Sequence, residues 1–117
     1  MKYLLLIYGN EAAMQSASKE AAGQMMAAYG AYTDAMKKAG VHVGSNRLRP
    51  TSSASTVRIT DGKTKVLDGP YAETKEQLGG YYMIEVLDLD AALSWAARCP
   101  GANHGTIEVR PIWEMSM

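Results

Sequence analysis

The chain has 117 residues, 47% of them apolar, and its 12 Lys and Arg balance its 12 Asp and Glu to a formal net charge of zero. That length makes one domain, residues 1–117, just large enough for one sheet and one layer of helices. The charge balance argues against a general nucleic-acid binder or a protein drawn to anionic membranes, and the lone Cys99 excludes an intrachain disulfide and fits a reducing cytoplasm.

In chain order, the short apolar run Tyr3 to Tyr8 ends at Gly9-Asn10-Glu11. It is too short to span a membrane and lacks a small-residue cleavage site, so it reads as a strand over Lys2 to Tyr8. Leu4 and Leu6 point one way, and Tyr3, Leu5 and Ile7 the other, which is the pattern of a strand buried on both faces. Ser18 to Ala39 reads as a helix with the stripe Ala22, Met25, Met26, Tyr29, Thr33 and Met36. Ser16 or Ser18 suits its start, and Lys37, Lys38 and Gly40 suit its end. Gly23 and Gly30 on one flank are either a tolerated cost of about 1 kcal/mol each or places where another backbone comes close.

Val41 to Leu48 reads as a strand and Arg49 to Ser53 as a loop. Thr56–Thr60 and Lys63–Leu67 flank Asp61-Gly62, a strong hairpin signal. Tyr81 to Leu87 is the next strand. Asp88 caps a second helix with the stripe Leu89, Ala92, Leu93 and Ala96, ended by Pro100-Gly101. Thr106 to Trp113 is the last strand. The order β-α-β-(hairpin)-β-α-β defines an α+β, ferredoxin-like unit with an inserted hairpin and both helices on one sheet face. The far face then needs cover, and a homodimer packing sheet against sheet supplies it.

Asp68 to Tyr82, DGPYAETKEQLGGYY, is the most informative stretch. Gly and Pro fix its backbone beside the tightly grouped Glu73, Thr74, Lys75 and Glu76. It resembles the DGPF motif of the YCII-related domain family, with Tyr71 where Phe is usual. The resemblance continues through GGYYMIEVLDLDAALSWAARCPG and GTIEVRPI. It implies a dimeric α+β barrel. It also implies two functional readings. One is a protein that binds a small polar metabolite in a cleft near the dimer interface, as a binding protein or as a cofactor-independent enzyme. The other is a non-catalytic accessory or regulatory module, since similar domains are fused to, or encoded beside, extracytoplasmic-function sigma factors.

Carboxylates beside a lysine form an acid-base set or a clamp for an anionic or amine ligand. The expected ligand-binding residues are therefore Asp68, Tyr71, Glu73 and Lys75, with Tyr29 and Tyr82 lining the same cleft. The bland alternative is a solvated turn braced by Asp68. Some YCII proteins are thought to use a His on the first helix and an Asp after the second. Tyr29 and Cys99-Pro100 stand near those positions here, and a phenol is no base near neutral pH. No metal-ligand spacing surrounds His42, His104 or Cys99, and no nucleotide-binding loop is present, so no cofactor is expected. Glu108 and Arg110, joined by Glu85, are expected on the far sheet face as a structural ion pair rather than a ligand site.

Overall fold

Strand β1 (Lys2–Gly9) is the element on which the rest is assembled in the computed structural model, which describes residues 1–115. The chain continues through α1 (Glu11–Gln15), α2 (Lys19–Lys38), β2 (His42–Arg47), β3 (Ser55–Thr60), β4 (Lys63–Asp68), β5 (Gln77–Glu85), α3 (Leu89–Arg98) and β6 (Thr106–Pro111). One-turn 3-10 segments at Thr51–Ser53 and Pro100–Asn103 precede β3 and β6. The main sheet has the order β2-β5-β1-β6 with every neighbouring pair antiparallel. This is the ferredoxin-like arrangement expected from the element order.

Alternation along β1 decides which face is core. Tyr3 and Leu5 are buried with Tyr82 and Ile84 of β5, and Ile107 and Val109 of β6 pack against them. Helices α2 and α3 close this face with Tyr32, Met36, Ala92 and Ala96. Leu5, Met36, Ile84 and Cys99 are its largest fully buried side chains, and burying an aliphatic chain of this size stabilises by roughly 1.5–3 kcal/mol. Tyr32 stands edge-on to Tyr82 at 5.2 Å and donates its hydroxyl to the Trp95 carbonyl at 2.6 Å. The Arg98 guanidinium lies 4.2 Å from the Trp95 ring centroid, so Trp95 covers the core edge.

Leu4 and Leu6 occupy the opposite face. In register, Leu4 lies between Met83 and Arg110, and Leu6 between Tyr81 and Glu108. Both long helices pack on the other side, so Leu4, Leu6, Tyr81 and Met83 remain only half-buried. As the alternation requires, Glu108 and Arg110 lie on this face and form an ion pair with each other. Glu85 stands opposite Lys2 across the β1–β5 ladder.

Three details depart from the sequence reading and a fourth decides between its alternatives. Residues Glu11–Gln15 form a short helix capped by Asn10, whose side chain accepts from the Ala13 amide at 2.9 Å. Strand β5 begins at Gln77, not Tyr81, because pairing on both sides carries Gly79-Gly80 into the ladder across a bulge next to Ile7 and Tyr8. Helix α2 begins at the Ser18 cap as expected, but only its C-terminal half meets the sheet. Its core residues are Tyr32 and Met36, whereas Met26 of the expected stripe is 67% exposed. Finally, nothing lies within 4 Å of a Cβ built on Gly23 or Gly30, so no backbone approaches there.

The hairpin forms as its Asp-Gly signal requires. Asp61 and Gly62 both have positive φ, 51° and 74°, as a two-residue type I′ turn needs. β3 and β4 nevertheless make a separate two-stranded sheet. Every residue in them except Thr56 is exposed. The radius of gyration is 16.3 Å and the extents are 48 × 48 × 18 Å, against about 13 Å for a compact chain of this length.

Candidate functional site

Two adjoining cavities open where β1 and α1 meet the base of the hairpin. The first, about 420 Å³, is lined by Asn10, Glu11, Gln15, Thr51, Lys75 and Gln77 among others. The second, about 330 Å³, is lined by Thr51, Ser52, Pro70, Ala72, Glu73, Thr74 and Gln77. Thr51, Ser52 and Gln77 belong to both, so they form the wall between them. Both are open surface clefts rather than enclosed pockets, with volumes in the range of small-molecule sites.

Three segments far apart in sequence build that wall. The Thr51 amide donates to Glu11 Oε1 at 2.8 Å, and the Thr51 hydroxyl donates to Glu11 Oε2 at 2.7 Å. The Glu11 amide in turn donates to Gln77 Oε1 at 3.0 Å, while Gln77 Nε2 donates to the Thr74 carbonyl at 2.5 Å. Glu11 thus ties the first turn of α1 to the loop after β2, and Gln77 ties both to the segment that carries Glu73 and Lys75. Glu76 points elsewhere and accepts from the Thr106 hydroxyl at 2.8 Å.

The expected residues divide between three places. Glu73 and Lys75 line the adjoining cavities, one in each. Asp68 ends β4 and Tyr71 is 80% exposed; neither lines a cavity. The turn after Asp68 is held by the Gly69 amide, which donates to the Ala54 carbonyl at 2.7 Å, and by the Thr56 hydroxyl, which donates to the Gly69 carbonyl at 2.9 Å. Gly69 has φ +102°, a conformation that selects glycine.

Tyr29 and Tyr82 belong to the interface between α2 and the sheet and line neither cavity. Tyr82 shares a 2.7 Å hydrogen bond with the Thr33 hydroxyl. The Tyr29 hydroxyl lies 3.8 Å from Cys99 Sγ, above Gly101, where a Cβ would sit 2.5 Å from it. The two positions singled out by their departure from the His and Asp pattern therefore do meet in space. Their chemistry is suppressed. Burial first, then the neighbouring Cys99, pushes the Tyr29 phenol well above its ordinary range. Burial also raises the Cys99 thiol, against the pull of hydrogen bonds from Gly101, Tyr29 and Ala102. Both shifts favour the neutral phenol and thiol, and the pair packs between α2 and the turn at Gly101.

The wall residues Thr51, Ser52 and Gln77, and Glu11 that latches onto them, are the lining residues that sequence reasoning missed. One signal was available: Asn10-Glu11 directly after a strand is a helix start with an acidic first turn. His42 is satisfied, its Nε2 lying 2.9 Å from the Ser45 hydroxyl. Among the described residues no three His, Cys, Asp or Glu side chains converge as a metal-ligand set. No helix there is long and apolar enough to cross a membrane.

The fold defines an α+β protein of the ferredoxin-like class with an added hairpin. The YCII-related domain model matches residues 1–116, and the chain belongs to that family. It is similar to an uncharacterized protein of Rhizobium meliloti (strain 1021), 41% identical over 114 residues, which span 96% of this chain and 92% of the relative.

Proposed function

We propose that this protein binds a small polar metabolite in the paired cavities and works as a homodimer joined through the uncovered sheet face. The observation that carries the ligand reading is the wall shared by Thr51, Ser52 and Gln77, with Lys75 on one cavity and Glu73 on the other. A ligand with an anionic group meets the Lys75 ammonium. An amine or hydroxyl donor on the same ligand meets Glu73, and the Thr, Ser and Gln side chains supply neutral hydrogen bonds that orient it. The dimer reading is supported by Leu4, Leu6, Tyr81 and Met83, which form an apolar band across the two central strands that no helix of the same chain covers.

A thermal-shift screen of carboxylated, phosphorylated and amine-bearing metabolites identifies a ligand. Calorimetric titration into Lys75→Met and Glu73→Gln then tests the site. Affinity should drop about tenfold or more in at least one variant, while the melting temperature stays within about 2 °C, since exposed charges contribute little to folding. Unchanged affinity in both variants removes these cavities from the site. The Glu85, Glu108 and Arg110 face would then be the next place to look.

A further inference from the structure

The β3–β4 hairpin has two unlike faces. Val57 pairs directly with Val66, and Ile59 with Thr64, so Val57, Ile59 and Val66 share one side. The other side carries Arg58 opposite Lys65, Thr60 opposite Lys63, and Thr56 opposite Leu67. Val57, Ile59 and Val66 are 61%, 69% and 61% exposed, so no part of the same chain covers the apolar side. A two-stranded hairpin standing alone in water is marginal at best. Val57, Ile59 and Val66 on one side, with Arg58, Lys63 and Lys65 on the other beside Leu67, suit an arm whose first side is covered and whose second stays wet.

We infer that this arm is a dimer clasp: its Val57–Ile59–Val66 face packs on a second copy of this chain, beside the sheet-to-sheet contact. The inference rests on the homodimer reading above. The exposed area suits a second copy of the chain. The accessible surface is 8550 Å² for a 12.7 kDa chain, whereas a folded monomer of that mass exposes about 6,200 Å². The excess is roughly 2,300 Å² per chain, the amount that each protomer of a large obligate homodimer buries. A two-fold interface uses every such surface twice and leaves none over. A zero net charge gives no pull toward nucleic acid or anionic lipid.

The clasp also bears on the cavities. The arm springs from Thr51–Ser53 on one side and Gly69-Pro70 on the other, and Thr51, Ser52 and Pro70 line the cavities. Seating the arm on the partner fixes both stalks, and with them part of the cavity lining.

Sedimentation equilibrium over a dilution series decides the matter for the wild type, Val57→Asp/Val66→Asp, and the opposite-face control Arg58→Ser/Lys65→Ser. The apolar-face variant should dimerise at least about tenfold more weakly and the control within about twofold of wild type. Hydrogen exchange on the wild type gives a reading independent of any variant: β3–β4 amides should be protected in the dimer and lose that protection on dilution to monomer. A dimer of wild-type affinity in the apolar-face variant, or arm amides that exchange alike in dimer and monomer, overturns the clasp and leaves the sheet-to-sheet dimer standing. A wild type that stays monomeric at high micromolar concentration overturns both and directs the arm to a different partner.

Discussion

Removing the Glu11 carboxylate tests the architecture of the cavities most directly. In Glu11→Ala the Thr51 amide and hydroxyl lose their acceptor, two hydrogen bonds of 2.8 and 2.7 Å at half-buried residues. Hydrogen bonds to a charged group contribute about 1.5–3 kcal/mol each when sequestered. Water can replace part of that here, so the expected loss is about 1.5–2.5 kcal/mol for the pair. Thr51→Val removes only the hydroxyl bond and should cost about 1 kcal/mol. Glu11→Gln retains an acceptor for the amide and should fall between the wild type and Glu11→Ala. At roughly 3–6 °C per kcal/mol for a domain of this size, Glu11→Ala should melt about 5–15 °C lower. The assay is thermal and urea unfolding at one fixed protein concentration, since the proposed dimerisation would make apparent stability concentration-dependent. The cycle of Glu11→Ala, Thr51→Val and the double variant should give a coupling energy near 1 kcal/mol. A coupling of zero, or Glu11→Ala within about 0.5 kcal/mol of wild type, would refute the view that this latch holds the hairpin base to α1.

Two further outcomes follow from the core. Burial is the largest cause of the raised pKa of Tyr29, Tyr32 and Tyr82, each above the ordinary value of 10.0. A raised folded-state pKa means stability fully present below about pH 10 and lost as pH climbs beyond it, where the unfolded chain ionises first; urea midpoints that stay flat from pH 9 to well above 11 would contradict this. Glycine substitutions should split by position. A Cβ on Gly105 would sit 2.1 Å from the Tyr8 carbonyl oxygen, so Gly105→Ala should push β6 off β1 and cost about 3 kcal/mol or more. Gly23→Ala and Gly30→Ala, with open space around both, should instead stabilise α2 by about 0.5–1 kcal/mol each, read from the same melts.

Most of the architecture was legible because its signals are local. Apolar alternation in Tyr3–Ile7, the Ser18 and Asp88 caps and the Asp61-Gly62 turn each specify backbone geometry over a few residues, and each forms as read. Misreadings occurred where a distant partner overrode a local tendency. The strand reads as starting at Tyr81, yet β1 and β2 hold Gly79-Gly80 within β5. The stripe on α2 has the right period, but the sheet ends before the helix does, so Met26 faces water and Tyr32 enters the core.

By itself the amino-acid sequence determined the element order, the helix-covered sheet face and the grouping of Glu73 with Lys75 in one segment. Only the tertiary structure decided what that segment meets. Glu11 reaches Thr51 across 40 residues and Gln77 across 66, and Tyr29 reaches Cys99 across 70. Only the tertiary structure, too, detached the hairpin from the main sheet. The physical reason is range. Propensity, capping and periodicity act within a turn or a strand, whereas the cavities come from loop ends brought together when the β1–β5 register buries Leu5 and Ile84, and no short window of sequence records that register.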